Sequence, residues 1–371
     1  MDLFIDRNEL SRGLARVQGV VERRSTSPVL SYVLLAASDD GLRVTATDTE
    51  VAFIGDLAAN VEKKGEVAVD ANNLFQIVRS LSEPTVHLAM GAGQRLEIRS
   101  GQSFFRLPGV PAEEYPAIPA FNAQGVANMQ TSVIRRLVEQ SNFAVATDDS
   151  RYGLNGAHVE EINDEKGRRL RMVATDGHRL SAAEGSYEGD LAITPRMLLP
   201  RKALNVMKKL LDGHDEGIEI AFGEGTVRLK RPGQIFWFRL LDGEFPDYKA
   251  VLPNECKHRV TMKCSDLGNA LKRVGILIQE RSRAVRFQFS ENTLEIASQN
   301  VDRGEVKEVV TAELDGEAIT MGFNIVYLKD ILGVIAGATV QFEMSHQLGP
   351  CLIRDPSDGS AFFVVMPMRL D

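Results

Sequence analysis

The chain has 371 residues, 44% of them hydrophobic and 25% charged, an ordinary globular balance at a length that points to two or three domains. Its 43 basic and 51 acidic residues give a net charge of −8, which as a single total argues against a nucleic-acid partner. Three cysteines (Cys256, Cys264 and Cys351) with no C-x-x-C unit exclude a disulfide scaffold or zinc ribbon, no apolar run approaches a membrane span, and residues 1–6 lack the order of a signal peptide.

Taken in chain order, Leu3-Phe4-Ile5 alternates into a helical stretch over residues 8–20, with Leu10, Leu14 and Val17 on one stripe. A strand pair (32–37 with 42–46), a helix (72–81), a hairpin (86–89 with 95–98) and a strand (103–107) follow. The same order then recurs. From Met129 a helix carries Ile134, Leu137 and Val138, followed by the pair 156–162 with 170–174, a helix at 200–211, the hairpin 218–222 with 226–230, and the strand 235–240. From Val260 a third helix carries Leu267, Leu271 and Val274, then come 284–289 with 293–297, a helix at 324–336, 340–344 with 351–354, and 361–366. Gly91, Gly93, Gly223 and Gly225 fall at turns expected to need positive φ.

Two independent landmarks give one period. Leu10, Ile134 and Leu267 are 124 and 133 residues apart, and Leu74, Leu204 and Leu328 are 130 and 124 apart. The expected fold class is therefore α+β, three copies of one unit with two helices packed on antiparallel sheets, over residues 1–124, 125–254 and 255–371. The boundaries follow the corners Tyr115-Pro116 and Phe245-Pro246.

Charge is distributed unevenly. The six helical windows hold thirteen basic and four acidic residues, a net +9 that leaves −17 for the rest of the chain. In the 200–211 window Ala203, Leu204, Val206, Met207, Leu210 and Leu211 fill one side, and Arg201, Lys202, Lys208 and Lys209 the other. A solvated face explains one such helix; six of them predict a basic helical layer inside an arc of sheets. Two arcs paired head-to-tail make a ring suited to duplex DNA, held through phosphates without sequence preference.

Particular words in the chain carry a family resemblance: Ala174-Thr175-Asp176-Gly177-His178-Arg179-Leu180, Phe245-Pro246-Asp247-Tyr248, Arg151-Tyr152 with Leu154-Asn155-Gly156, and the terminal Val364-Val365-Met366-Pro367-Met368-Arg369-Leu370. Over its whole length the sequence resembles the bacterial DNA polymerase III beta subunit, the sliding clamp. The resemblance implies a head-to-tail homodimeric ring encircling duplex DNA without sequence specificity, with no catalytic activity and no cofactor or metal. It also implies a peptide pocket for the replicative polymerase, the clamp loader, repair polymerases and mismatch-repair proteins, in a cytoplasmic protein that joins the nucleoid when loaded. By resemblance the pocket comprises Leu154, Thr175, Gly177, His178, Arg179, Leu180, Pro246, Val251, Val364, Val365, Met366, Pro367, Met368 and Arg369, with a groove at Arg151, Asn324 and Tyr327, and Arg179 and His178 as rim anchors. Arg24 and Tyr152 would touch DNA, with Arg79, Arg135, Arg136, Arg201, Lys202, Lys208 and Lys209 contributing diffusely. Phe105 and Leu107 would pack on Ile276 and Leu277 of the other copy.

The chain departs from the family pattern at Asp148, Gly153 and Ala250, and runs one residue longer, to Asp371. An inhibitor-resistant paralogue and a non-encircling scaffold are the alternatives. A hydrolase with His178 as base lacks the G-x-S-x-G elbow, and no H-E-x-x-H or P-loop motif is present.

Overall fold

A computed structural model describes residues 1–22, 27–148, 152–165, 167–211, 216–253, 255–278, 283–300 and 304–370. It contains two compact units, each built on one antiparallel sheet. The first comprises Met1–Arg135, Tyr187–Ile193 and Lys202–Leu241, around a 14-stranded sheet. The second comprises Arg136–Ser186, Thr194–Arg201 and Asp242–Asp371, around a 12-stranded sheet. The middle stretch of sequence therefore supplies strands to both.

Among the described residues there are six α-helices: α1 (Arg7–Val17), α2 (Ala71–Ser80), α3 (Thr131–Asn142), α4 (Arg201–Leu210), α5 (Cys264–Val274) and α6 (Ile325–Leu332). The six landmark positions, Leu10, Leu74, Ile134, Leu204, Leu267 and Leu328, are each no more than 2% exposed. Burying such a side chain stabilises by roughly 1.5–3 kcal/mol. Carboxylate and amide caps set the helix starts. Asp6 Oδ1 accepts the Asn8 and Glu9 N–H groups at 2.9 Å each, Asp70 Oδ1 accepts Asn73 N–H at 2.7 Å, and Asn324 Oδ1 accepts Val326 N–H at 3.0 Å. α1 stops at Val17 and α6 at Leu332, short of the expected 8–20 and 324–336; Gln18 and Gly333 cap them, and their N–H groups close the last turn.

In the first unit, strand Gln234–Arg239 pairs antiparallel with Val51–Leu57, placing Phe236 opposite Phe53. In the second, Asp358–Val365 pairs antiparallel with Arg179–Ser186, placing Val364 opposite Leu180. Beneath α5 and α6 the second unit packs Phe287, Phe289, Phe323 and Phe342, with ring centroids 5.2–6.4 Å apart. Of the four turn glycines, Gly93 and Gly225 have positive φ (71° and 63°), while Gly91 and Gly223 do not. Gly223 is required for a different reason: a Cβ there would lie 2.7 Å from the Asn122 carbonyl oxygen.

Candidate functional site

The run Thr175-Asp176-Gly177-His178-Arg179 builds a tight turn between strands Gly167–Thr175 and Arg179–Ser186. Asp176 Oδ1 accepts the N–H groups of His178 (2.9 Å) and Arg179 (3.0 Å), and Thr175 Oγ1 accepts that of Gly177 (3.1 Å) while donating to the Arg179 carbonyl (2.6 Å). Gly177 takes φ +88°, the left-handed conformation that glycine adopts without penalty. The last strand is tied to this turn, since Met366 N–H donates to the His178 carbonyl at 2.9 Å.

Beside the turn lies an apolar cleft of about 520 Å³, its open mouth included, within the second unit. Its lining takes Leu154, Thr175, Gly177, His178, Arg179, Leu180, Pro246, Val251, Val364 and Met366 from the sequence-derived set, and adds Asp247 and Tyr248, which that set left out. A strand's period of two corrects one assignment. Val364 and Met366 face the cleft, so Val365 points the other way and is fully buried. Met366, 37% exposed, is the accessible thioether.

Pro246 to Val251 hold their shape through Asp247, whose Oδ1 accepts Lys249 N–H at 3.1 Å and caps the short 3-10 helix Tyr248–Val251. Tyr248 is buried, and its hydroxyl donates to Glu160 and accepts from Arg171 at 2.8 Å. Burial, then the Glu160 bond, pushes the phenol up to about 12. Burial alone would raise Glu184, but hydrogen bonds from Arg169 and Arg171 hold it below the ordinary carboxylate value. The cleft floor is thus a paired ionic network, costly to break.

Arg179 is not a rim anchor. It is 11% exposed, with Nε on Asp176 (3.0 Å), Nη1 on Asp330 and Nη2 on the Phe143 carbonyl (2.6 Å), and its guanidinium lies 4.4 Å from the Tyr327 ring centroid. Its donors are committed internally, so it props the turn against α6. His178 is exposed at the turn tip. Asn324 is occupied as the cap of α6 and Tyr327 as the platform for Arg179. Beyond Met366, Met368 pairs with Gly322, its N–H donating to the Gly322 carbonyl at 2.8 Å, and Pro367, Met368 and Arg369 run outside the cleft lining. Arg151 lies outside the described residues.

The basic helix residues divide into two groups. Arg79, Arg201, Lys208 and Lys209 are exposed. Lys202 is instead paired with buried Asp48, Arg135 donates to the Leu211 carbonyl (2.6 Å), and Arg136 donates to Ser360 Oγ (2.6 Å) and the Glu184 carbonyl (2.9 Å). Arg24 and the side chain of Tyr152 lie outside the described residues.

Each unit also presents an open sheet edge. Strand Ser103–Val110 pairs along one side with Arg95–Ser100, but on the other only Gly109 and Val110 are paired among the described residues. Strand Gly304–Asp315 pairs through residues 304–311 with Thr293–Asn300, but on its other side, among the described residues, only from Ala312 onward. Phe104 (48% exposed) and Val309 (58%) stand on these edges, and Ile276 (73%) follows the end of α5. Phe105, Leu107 and Leu277 are half-buried.

Among the described residues no cluster of three or more His, Cys, Asp or Glu could hold a metal, and no helix is long and apolar enough to cross a membrane. The chain is thus a repeated α+β protein with an apolar cleft beside a hydrogen-bonded turn. Family models for the N-terminal, central and C-terminal domains of the DNA polymerase III beta subunit match residues 1–119, 128–247 and 249–369. The chain belongs to this family, the beta sliding clamps, non-catalytic processivity factors of DNA polymerase III. It is 34% identical to the beta sliding clamp of Caulobacter vibrioides and 35% identical to that of Pseudomonas aeruginosa, in each case covering 100% of both chains. Among solved structures it is similar to the sliding clamp of Bartonella birtlesii bound to griselimycin (31% identity, TM-score 0.94) and to that of Pseudomonas aeruginosa bound to griselimycin (34%, TM-score 0.89), again over 100% of both chains.

Proposed function

We propose that two copies of this chain close head-to-tail around duplex DNA and hold the replicative polymerase there through a peptide seated in the cleft. The clamp loader, repair polymerases and mismatch-repair proteins would use the same cleft in turn, in the bacterial cytoplasm and at the nucleoid once the ring is loaded. The cleft carries this reading. It offers apolar and thioether surface on a hydrogen-bonded frame, suited to short linear motifs, and Met366 adapts to more than one side chain.

Closure is supported by the two open edges, which can add strand to strand between copies, with Phe105 and Leu107 meeting Ile276 and Leu277. DNA would be held by the exposed Arg79, Arg201, Lys208 and Lys209, with Arg24 and Tyr152 at the ring face and Lys202, Arg135 and Arg136 adding field from paired positions. Repeats at residues 1–124, 125–254 and 255–371 would make six similar domains per ring.

Sedimentation equilibrium together with titration of a labelled polymerase-derived peptide tests the reading. A dimer binding one peptide per chain is expected. A monomer, or a peptide that binds equally well after deletion of residues 366–371, would overturn it.

A further inference from the structure

The described cleft lining carries two basic side chains, His178 at the exposed turn tip and Arg179, which faces two carboxylates, Asp176 and Asp330, and is 11% exposed. The remaining charged wall residue is Asp247, exposed and with no ion pair among the described residues. Its carboxylate accepts Lys249 N–H at 3.1 Å through Oδ1, as a backbone cap. The Lys249 ammonium, outside the lining, sits 5.9 Å from the Tyr248 ring centroid. Arg179 is thus matched by its own two carboxylates, and Asp247 is the exposed carboxylate of the described lining.

We propose that Asp247 is a specificity-determining residue of the cleft, selecting peptides that carry a basic residue beside their apolar anchors over those that carry an acidic one. This rests on the reading of the cleft as a peptide-docking site. Apolar contacts would set most of the affinity, and the carboxylate would discriminate between peptides by about three- to five-fold at low salt, the range of a partly exposed charge pair. The preference would fade as the screening length shortens.

The test uses the full-length protein and two labelled hexapeptides with the same leucine and phenylalanine anchors and a single spacer, Lys in one and Glu in the other. Fluorescence anisotropy at about 50 mM and about 500 mM NaCl spans the change in screening. The variant Asp247→Asn retains an Oδ1 for the Lys249 cap and removes only the charge. The Lys peptide is expected to bind tighter in the wild type at low salt, with the difference collapsing in Asp247→Asn and at high salt. If both peptides bind with equal affinity, if the Glu peptide binds tighter, or if the difference survives Asp247→Asn, the docking reading stands and this inference falls. If neither peptide binds, the docking reading falls and takes this inference with it.

Discussion

Thr49 and Gly177 occupy the same place in two copies of one turn, with φ of 78° and 88°. The bonds that shape the turn itself are duplicated. Asp48 Oδ1 accepts the N–H groups of Glu50 (2.9 Å) and Val51 (2.7 Å) as Asp176 Oδ1 accepts those of His178 and Arg179, and Thr47 bonds Thr49 N–H (3.0 Å) and the Val51 carbonyl (3.0 Å) as Thr175 does its counterparts. Even the incoming strand is held alike, Arg239 N–H to the Glu50 carbonyl and Met366 N–H to the His178 carbonyl, both at 2.9 Å. The turn is therefore a device of the repeat, and only its second copy borders the cleft.

A β-branched residue at that φ is strained, whereas asparagine tolerates it. Thr49→Asn is expected to stabilise the first unit by about 1 kcal/mol, read as a rise in the midpoint of thermal unfolding. An unchanged or lower midpoint would show that the turn imposes no strain there.

Arg179 joins the turn to α6, so its loss strands Asp176 and Asp330 in a partly buried site. Arg179→Ala is expected to cost about 3 kcal/mol of stability and to weaken peptide binding together with it. His178→Ala, at an exposed tip, should leave the melting curve unchanged. Equal thermal stability of the Arg179 and His178 variants would contradict the prop.

Met366→Ala removes an accessible thioether and should lower peptide affinity about ten-fold with little change in stability, whereas Val365→Ala, on the buried side of the same strand, should do the reverse. Calorimetric titration and thermal melts of both variants distinguish the two faces.

Tyr115 and Tyr248 are both pushed up to about 12, in each case first by burial. A phenol that ionises near 10 when unfolded and near 12 when folded stabilises the protein fully below pH 10, and that contribution is lost as pH rises from 10 to 12. Stability should therefore fall across that window, and Tyr248→Phe should flatten part of the fall. It should also cost about 2 kcal/mol at neutral pH, because Arg171 and Glu160 lose a partner. Urea unfolding followed from pH 8 to pH 12 is the measurement.

The helices were readable because a 3.6-residue stripe is a strong signal, as the burial of Leu10, Leu204 and Leu328 shows. Strand Arg179–Ser186 was not, because its small residues are buried on both faces and show no alternation. Ten lining residues followed from the family resemblance, nine of them from its quoted words. What those words could not convey was direction: that Arg179 turns inward, that Val365 faces away from the cleft, and that Tyr248 joins its wall and floor. Nor did Thr47-Asp48-Thr49 look like a copy of Thr175-Asp176-Gly177, since the glycine that marks the turn is missing from the first.

The most direct test of a ring is topological. Protein loaded by a clamp loader onto a nicked circular duplex should remain bound through gel filtration and leave only when a restriction enzyme opens the circle. Loss from the intact circle as fast as from the linear duplex would contradict encirclement.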